Sequence, residues 1–196
     1  MTDSGPTHDG PTHDGRPRCP WADGSQLYRD YHDTEWGRPL RGGTALFERL
    51  TLEAFQSGLS WLIILRKRDN FRSAFAGFEI DTVAGFTDRD VARLMDDVGI
   101  VRNRAKIEAA ITNARAIADL DVDLSDLLWS FAPPPRPRPA AIGDVPAQTP
   151  ESQAMARELK RRGFRFVGPT TAYALMQATG MVDDHLAKCW VPRNGR

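Results

Sequence analysis

The chain has 196 residues, 41% hydrophobic and 27% charged, with 26 basic and 26 acidic side chains, so its formal net charge is zero. This is the balance of a soluble globular protein with one core; bulk charge does not announce a nucleic-acid partner, and no apolar run approaches the roughly 18 residues of a membrane helix. The polar, acidic N-terminus is no secretory signal, and two cysteines are too few for a disulfide-built scaffold, so the reading is a cytoplasmic protein with both thiols available for other work.

Residues 1–17 form a low-complexity tail containing "PTHDG" twice, at 6–10 and 11–15. Such a pentamer cannot bury a core, so the tail is expected to be disordered and His8 and His13 are set aside as ligands. "DYHDTEWG" (30–37) crowds Tyr31, His32 and Trp36 among carboxylates. From residue 44 the pattern is helix after helix. Thr44 can cap "ALFERLTLEAFQSG", Gly58 interrupts it, and Ser60 can cap "WLIILRKR". Asp81 can cap a short turn at 82–86. Thr87 with Asp90 resembles a capping box before "VARLMDDVG", which Gly99 ends. "RAKIEAAITNARAIADL" is amphipathic. Residues 132–149 hold six prolines and read as a surface connection. Thr149-Pro150 then opens a helix to about Arg162. No segment alternates like a strand, so the fold class is all-α.

Charge is segregated along this frame. Arg66, Lys67, Arg68 and Arg72 form one basic cluster, Arg102, Arg104 and Lys106 a second, and five cations between Arg157 and Arg165 a third. They either converge on one face or are three solvated helix faces. The third leads into "LKRRGFRFVGPTTAYALMQA" (157–178 overall), in which a basic helix ends at Gly163, Phe164, Phe166 and Val167 fill a turn, and Gly168-Pro169 opens a second helix. This is a helix-hairpin-helix pattern. The free N–H groups of the second helix's first turn, at Thr170 and Thr171, lie at the positive end of its dipole, and Gly168 allows close approach of a phosphate. Such a hairpin grips DNA without reading its sequence; the competing reading is an ordinary αα-hairpin with glycine caps.

The two cysteines and the two histidines outside the tail make one set, with Cys19 and His32 near the start and His185 and Cys189 near the end. If "HLAKC" is helical, His185 and Cys189 share a face at i and i+4. Two thiolates and two imidazoles suit a tetrahedral zinc ion; a Cys19–Cys189 disulfide or two buried free thiols are the alternatives. Glu53 is a carboxylate at an inward-looking helix position. With Trp21, Tyr28, Tyr31, Trp36 and Trp61 nearby it could bound a cavity for a flat cation, or it could be salt-bridged to an arginine within an aromatic core.

Taken together, "RCPW", "YHDTEWG", "LFERLTLEAFQSGLSWLIILRKRDNFRSAF", "GIVRNRAKI", "RGFRFVGPTTAYALMQATG" and "VDDHLAKC" resemble the bacterial 3-methyladenine DNA glycosylase I family from Arg18 to about Cys189. The resemblance implies a two-lobed helix-hairpin-helix glycosylase domain over 18–196, with a structural zinc at Cys19, His32, His185 and Cys189 joining the chain ends. It maps the base pocket to Glu53, as the catalytic carboxylate, with Tyr28, Tyr31, Trp61 and Trp21. Gly58 and Leu59 become candidates for the wedge that replaces a flipped nucleotide. The implied activity is monofunctional excision of cationic N3-methyladenine from double-stranded alkylated DNA by a monomer acting at the bacterial nucleoid. The alternatives are a non-catalytic DNA-binding module with a zinc staple, or a self-resistance glycosylase for another alkylated base.

Overall fold

The computed structural model describes residues 14–193, whose regular structure is entirely helical. The first thirteen residues, with His8 and His13, lie outside the described part. Residues 14–17 lie against the domain: the Pro17 carbonyl accepts the Trp190 N–H at 2.8 Å, and Arg16 stacks over the Trp190 ring.

A 3-10 turn at Pro20–Gly24 leads into α1 (Gln26–Thr34), a helix the sequence pattern did not announce. Ser25 caps it, accepting the Tyr28 N–H at 3.2 Å. Helix α2 (Gly43–Gln56) starts one residue ahead of Thr44, and α3 (Trp61–Ala74) follows Ser60 as expected. Helix α4 spans Ile80–Ala84, with Asp81 inside it rather than at its cap. Helix α5 (Asp88–Asp96) carries the expected Thr87–Asp90 capping box but ends before Gly99, whose N–H is accepted by the Asp97 side chain. Helix α6 (Arg104–Ala118) is capped by Asn103 and a short α7 (Leu124–Trp129) by Asp123. The proline-rich connection holds one 3-10 turn, Ile142–Asp144. Helices α8 (Pro150–Arg161) and α9 (Pro169–Ala178) complete the set.

Helix α2 is the centre. Leu46, Phe47, Leu50, Leu52 and Phe55 are fully buried, so its apolar surface extends well beyond one stripe, and it packs against α3, α6, α7 and α9. Stacked phenylalanines fill the space between α3 and the turn after it; Phe75 and Phe78 lie parallel at 5.5 Å.

The α8–α9 turn differs from expectation in one side chain. Phe164 and Val167 are buried, but Phe166 has a positive φ of 56° and is 46% exposed, so it points away from the core. Gly163, at φ 91°, ends α8, and the Phe164 N–H reaches back to the Leu159 carbonyl. Asn113 on α6 fixes this turn from behind. Its buried amide accepts the Arg165 N–H at 2.7 Å and donates to the Arg165 carbonyl at 3.1 Å.

After α9 the chain turns at Gly180 (φ 73°), where a Cβ would stand 2.7 Å from the Gly37–Pro39 backbone. The "HLAKC" segment is not helical. Leu186 to Cys189 form a turn closed by the Cys189 N–H and Leu186 carbonyl, so His185 and Cys189 converge through a loop and not along a helix face. The 181–184 stretch that precedes it is tied down by Arg136 and Arg138, which leaves too little free chain to start a helix.

Asn113→Ala removes both partners of the Arg165 backbone. It is expected to cost about 1–3 kcal/mol of stability, read by denaturant unfolding, and to raise hydrogen exchange at Arg165.

Candidate active site and metal centre

Trp21 from the first 3-10 turn, Tyr28 and Tyr31 from α1, Glu53 from α2 and Trp61 from the start of α3 all line one cavity of about 390 Å³. Positions 28 and 31 are three apart on α1, which places both tyrosines on one face. Tyr31 and Trp61 sit 5.3 Å apart, and Trp21 meets the Tyr28 edge at 5.7 Å. The Tyr28 hydroxyl accepts the Leu62 N–H at 2.9 Å, so this tyrosine also satisfies the open end of α3. The Trp61 indole N–H is buried and has no partner among the described residues. A pocket of this size with apolar walls and few polar groups is the usual form of a small-ligand site.

Glu53 is 6% exposed, and no hydrogen bond reaches its carboxyl among the described residues. Burial pushes its pKa up to about 7, opposed by the Arg49 charge one turn earlier on α2. The salt-bridged alternative does not hold: Arg49 pairs with Glu35 at 3.3 Å instead.

Four other residues shape the site in ways that the sequence pattern left unassigned. Ile142 and Val145 carry the proline-rich connection to the cavity mouth, a contact that no local pattern encodes. Asp184 lines the cavity, buried and engaged by Tyr173, Gln177 and Arg136. Lys106, counted with the basic clusters, is buried and caps the C-terminal end of α2 by donating to the Phe55 and Ser57 carbonyls.

The α2–α3 turn is exposed beside the mouth. Gly58 has φ 80°, Leu59 is 37% exposed, and Ser60 lines the cavity. Gly168 and Thr170 are exposed at the start of α9 and Thr171 is half-buried, while Ala174 and Gln177 further along the helix line the cavity. Part of each basic cluster is taken up by partners within the protein. Arg68 pairs with Glu35, Arg72 with Glu48, and Arg161 and Arg162 with Glu158. Arg66, Arg102, Arg157, Lys160 and Arg165 remain exposed.

Cys19, His32, His185 and Cys189 come together from both chain ends, all buried, with their ligand atoms within 4.8 Å of one another. The cysteines are free thiols and not a disulfide. His32 Nε2 and His185 Nδ1 are 3.2 Å apart, and Cys189 Sγ is 3.5 Å from each. Cys19 Sγ is 3.9 Å from His185 Nδ1. A tetrahedron with zinc bond lengths sets these separations at ~3.3 Å for N···N and ~3.6 Å for N···S. The outer ring nitrogens are also assigned. His32 Nδ1 meets Asp33 at 2.7 Å, and His185 Nε2 meets the Trp36 carbonyl at 3.1 Å. Both are acceptors, so each outer nitrogen carries its proton and the inner nitrogens face each other as lone pairs. A cation between them resolves that repulsion. The group can therefore hold a metal ion.

Glu53 has a stability signature with a definite sign. Its folded pKa, about 7, lies above the ordinary 4.5, so the unfolded chain ionises first and stability falls as pH rises through this window. Glu53→Gln is expected to raise stability at pH 8 by about 3 kcal/mol and to change it little at pH 4.5, followed by thermal denaturation. A loss at pH 8 would show that the carboxylate has a stabilising partner.

Known proteins share this sequence pattern and this fold. A sequence model described as methyladenine glycosylase matches residues 21–192. A DNA-3-methyladenine glycosylase of Haemophilus influenzae is 42% identical over 180 residues, covering 88% of this chain and 96% of the relative. DNA-3-methyladenine glycosylase 1 of Escherichia coli is 42% identical over 177 residues, covering 88% and 95%. A solved 3-methyladenine DNA glycosylase I superimposes with a TM-score of 0.86 at 42% identity, covering 89% of this chain and 98% of the other. A variant of such an enzyme in complex with 3-methyladenine gives 0.85 at 34% identity, covering 91% and 99%. The chain belongs to the methyladenine glycosylase family.

Proposed function

We propose that the protein is a DNA repair glycosylase that excises 3-methyladenine from alkylated DNA, with Glu53 as the residue that recognises the base. The observation that carries this reading is a buried carboxyl without a hydrogen-bond partner, facing a cavity walled by Trp21, Tyr28, Tyr31 and Trp61. Water is a better partner for a carboxylate than an empty aromatic cage. A flat cation supplies what the cage lacks, through stacking, cation–π attraction and a charge-assisted hydrogen bond.

The target base leaves the stack before the pocket reads it. The exposed Gly58–Leu59 turn at the mouth is placed to fill the gap it leaves. The start of α9, at Gly168, Thr170 and Thr171, offers N–H groups for backbone phosphates, which is the basis for assigning a helix-hairpin-helix superfamily fold and a double-stranded substrate. N3-alkylation puts positive charge on adenine and weakens its glycosidic bond, so the pocket's task is selection more than protonation. Neutral adenine gains less from the Glu53 carboxylate and the rings. Departure of the base leaves an oxocarbenium-like sugar for water to attack. No lysine among the described residues lines the cavity to form a Schiff base, which fits a monofunctional hydrolase. Asp183 and Asp184 are held by Arg138 and by Arg136, Tyr173 and Gln177.

The metal is read as one structural zinc, which when bound supplies a cross-link between the chain ends and no open coordination position. We read residues 18–196 as a single two-lobed glycosylase domain acting as a monomer, with Gly58, Leu59, Gly168, Thr170 and Thr171 on its DNA-facing side. No helix among the described residues is long and apolar enough to cross a membrane; residence in the bacterial cytoplasm, at the nucleoid during repair, belongs to the proposal.

Purified protein is expected to release free 3-methyladenine from methylated DNA. Glu53→Gln removes a charge-assisted bond worth about 1.5–3 kcal/mol, so its kcat/KM should fall by about 10- to 150-fold. Binding of alkylated DNA with no base release by the unaltered protein would instead favour a non-catalytic module.

Metal analysis should find one zinc per chain, and His32→Ala should lose it. Trp21 touches His32 at 5.2 Å and the pocket tyrosines at 5.7 and 6.3 Å, so base excision should weaken along with the metal. Full excision by a zinc-free His32→Ala protein would sever that link.

A further inference from the structure

Arg49 is a buried cation beside a cavity whose proposed ligand is itself a cation, and its surroundings give it a specific task. It is 8% exposed and stands one helical turn before Glu53 on α2. Its Nη1–H donates to the Tyr31 hydroxyl oxygen at 2.7 Å, and Nη2–H reaches Glu35 at 3.3 Å. The guanidinium carbon lies 5.2 Å from the Tyr31 ring centre and 5.7 Å from that of Trp61. Arg49 therefore braces the two rings that form one wall of the cavity.

The local charge count is unbalanced without Glu53. Glu35 is shared, because Arg68 makes two shorter bonds to it at 2.6 and 2.9 Å. Two guanidinium groups thus face one carboxylate, and the nearby Glu48 is engaged by Arg72. An ionised Glu53 brings Arg49, Arg68, Glu35 and Glu53 to neutrality; a protonated one leaves a net positive charge buried against aromatic rings.

We propose that Arg49 is a positioning residue for this pocket: it favours the carboxylate form of Glu53 and holds Tyr31 against Trp61, which readies the site for a cationic base. This rests on the glycosylase reading above. Other groups around Glu53 act less directly. Tyr28 and Tyr31 face it from α1 with Glu35 behind them, Trp61 and Arg68 belong to α3, and Asp184 comes from the C-terminal segment with its charge taken up by Arg136, Tyr173 and Gln177. Arg49 opposes the burial that raises the Glu53 pKa, so removing its charge moves that pKa further up and confines the carboxylate form to higher pH.

The test is a pH profile of kcat/KM for 3-methyladenine release by the unaltered protein, Arg49→Gln and Arg49→Lys. Gln retains a donor for the Tyr31 hydroxyl and drops the charge; Lys keeps the charge. The unaltered protein should show an acid limb near pH 7. Each unit by which Arg49→Gln moves that limb upward costs about tenfold in kcat/KM on the acid side, with activity at pH 9 within about twofold of the unaltered protein. Arg49→Lys should keep the limb in place. A loss of the same factor at every pH in Arg49→Gln, or a lysine variant that behaves like the glutamine one, would overturn the proposal. The titration is also read without turnover, from the carbon-13 resonance of the Glu53 carboxyl in the three folded proteins. A midpoint unmoved by Arg49→Gln refutes the role of Arg49. Absence of base release by the unaltered protein counts against the glycosylase reading alone, since the carboxyl titration still decides the Arg49 question. Should Arg49→Gln not fold, Arg49→Met and the lysine variant carry the same comparison.

Discussion

Two imidazole nitrogens facing each other as lone pairs, with two thiols beside them, set the condition on which the rest of this chain depends. His32 and His185 are separated by most of the sequence, yet Asp33 and the Trp36 carbonyl turn both rings inward. That arrangement is repulsive on its own and attractive around a cation. Once satisfied, it anchors α1 to the segment after α9. The backbone adds its own ties nearby: the Gly180 turn pressed on Gly37–Pro39, the Leu40 N–H on the Thr179 carbonyl, and the Trp190 N–H on the Pro17 carbonyl. The pocket sits directly against this junction because Trp21 touches both.

The second constraint is electrostatic. Evolution has left a carboxyl in an apolar enclosure where folding alone would favour an amide or a hydrocarbon. Such a group lowers stability whenever it is charged. Its persistence among tightly packed neighbours is intelligible as a site that waits for a counter-charge, with Arg49 and the shared Glu35 setting how far the carboxyl is held from neutralisation. Stability and recognition then oppose each other at one side chain.

Much of this was legible in the residues. Helical periodicity in 44–162 located α2, α3, α6 and α8, because their apolar stripes and caps are local features. Residue types alone singled out Glu53, the aromatics and the four sulfur and nitrogen ligands, the family resemblance suggested their roles, and the fold gathers each set in one place. What escaped shares one cause: its meaning is made by distant partners. Helix α1 mixes aromatics with acids because two of its faces serve different sites, which blurs the periodicity. Lys106, counted in a basic cluster, is a buried cap, and Asn113, within the amphipathic stretch, is the anchor of a turn 52 positions away. "HLAKC" had helical spacing, but its neighbours are committed to Arg136 and Arg138. Of the three apolar residues read as filling the hairpin turn, Phe166 is exposed.

The Tyr28–Leu62 bond has a consequence for the turn between α2 and α3. Lys106 grips the end of α2, and Tyr28 grips the start of α3, so the four residues between them are held from both sides. The Gly58–Leu59 projection is therefore closer to a fixed peg than to a loop that settles after contact. Its conformational entropy is lost when the chain folds, so if it enters a helix of bases, as proposed above, little more is lost. The work of opening then falls on the nucleic acid, where a damaged and weakly stacked pair yields more readily than a sound one. On the proposed reading, rigidity at the turn becomes a first filter for damage, exerted before any base has reached the aromatic cage.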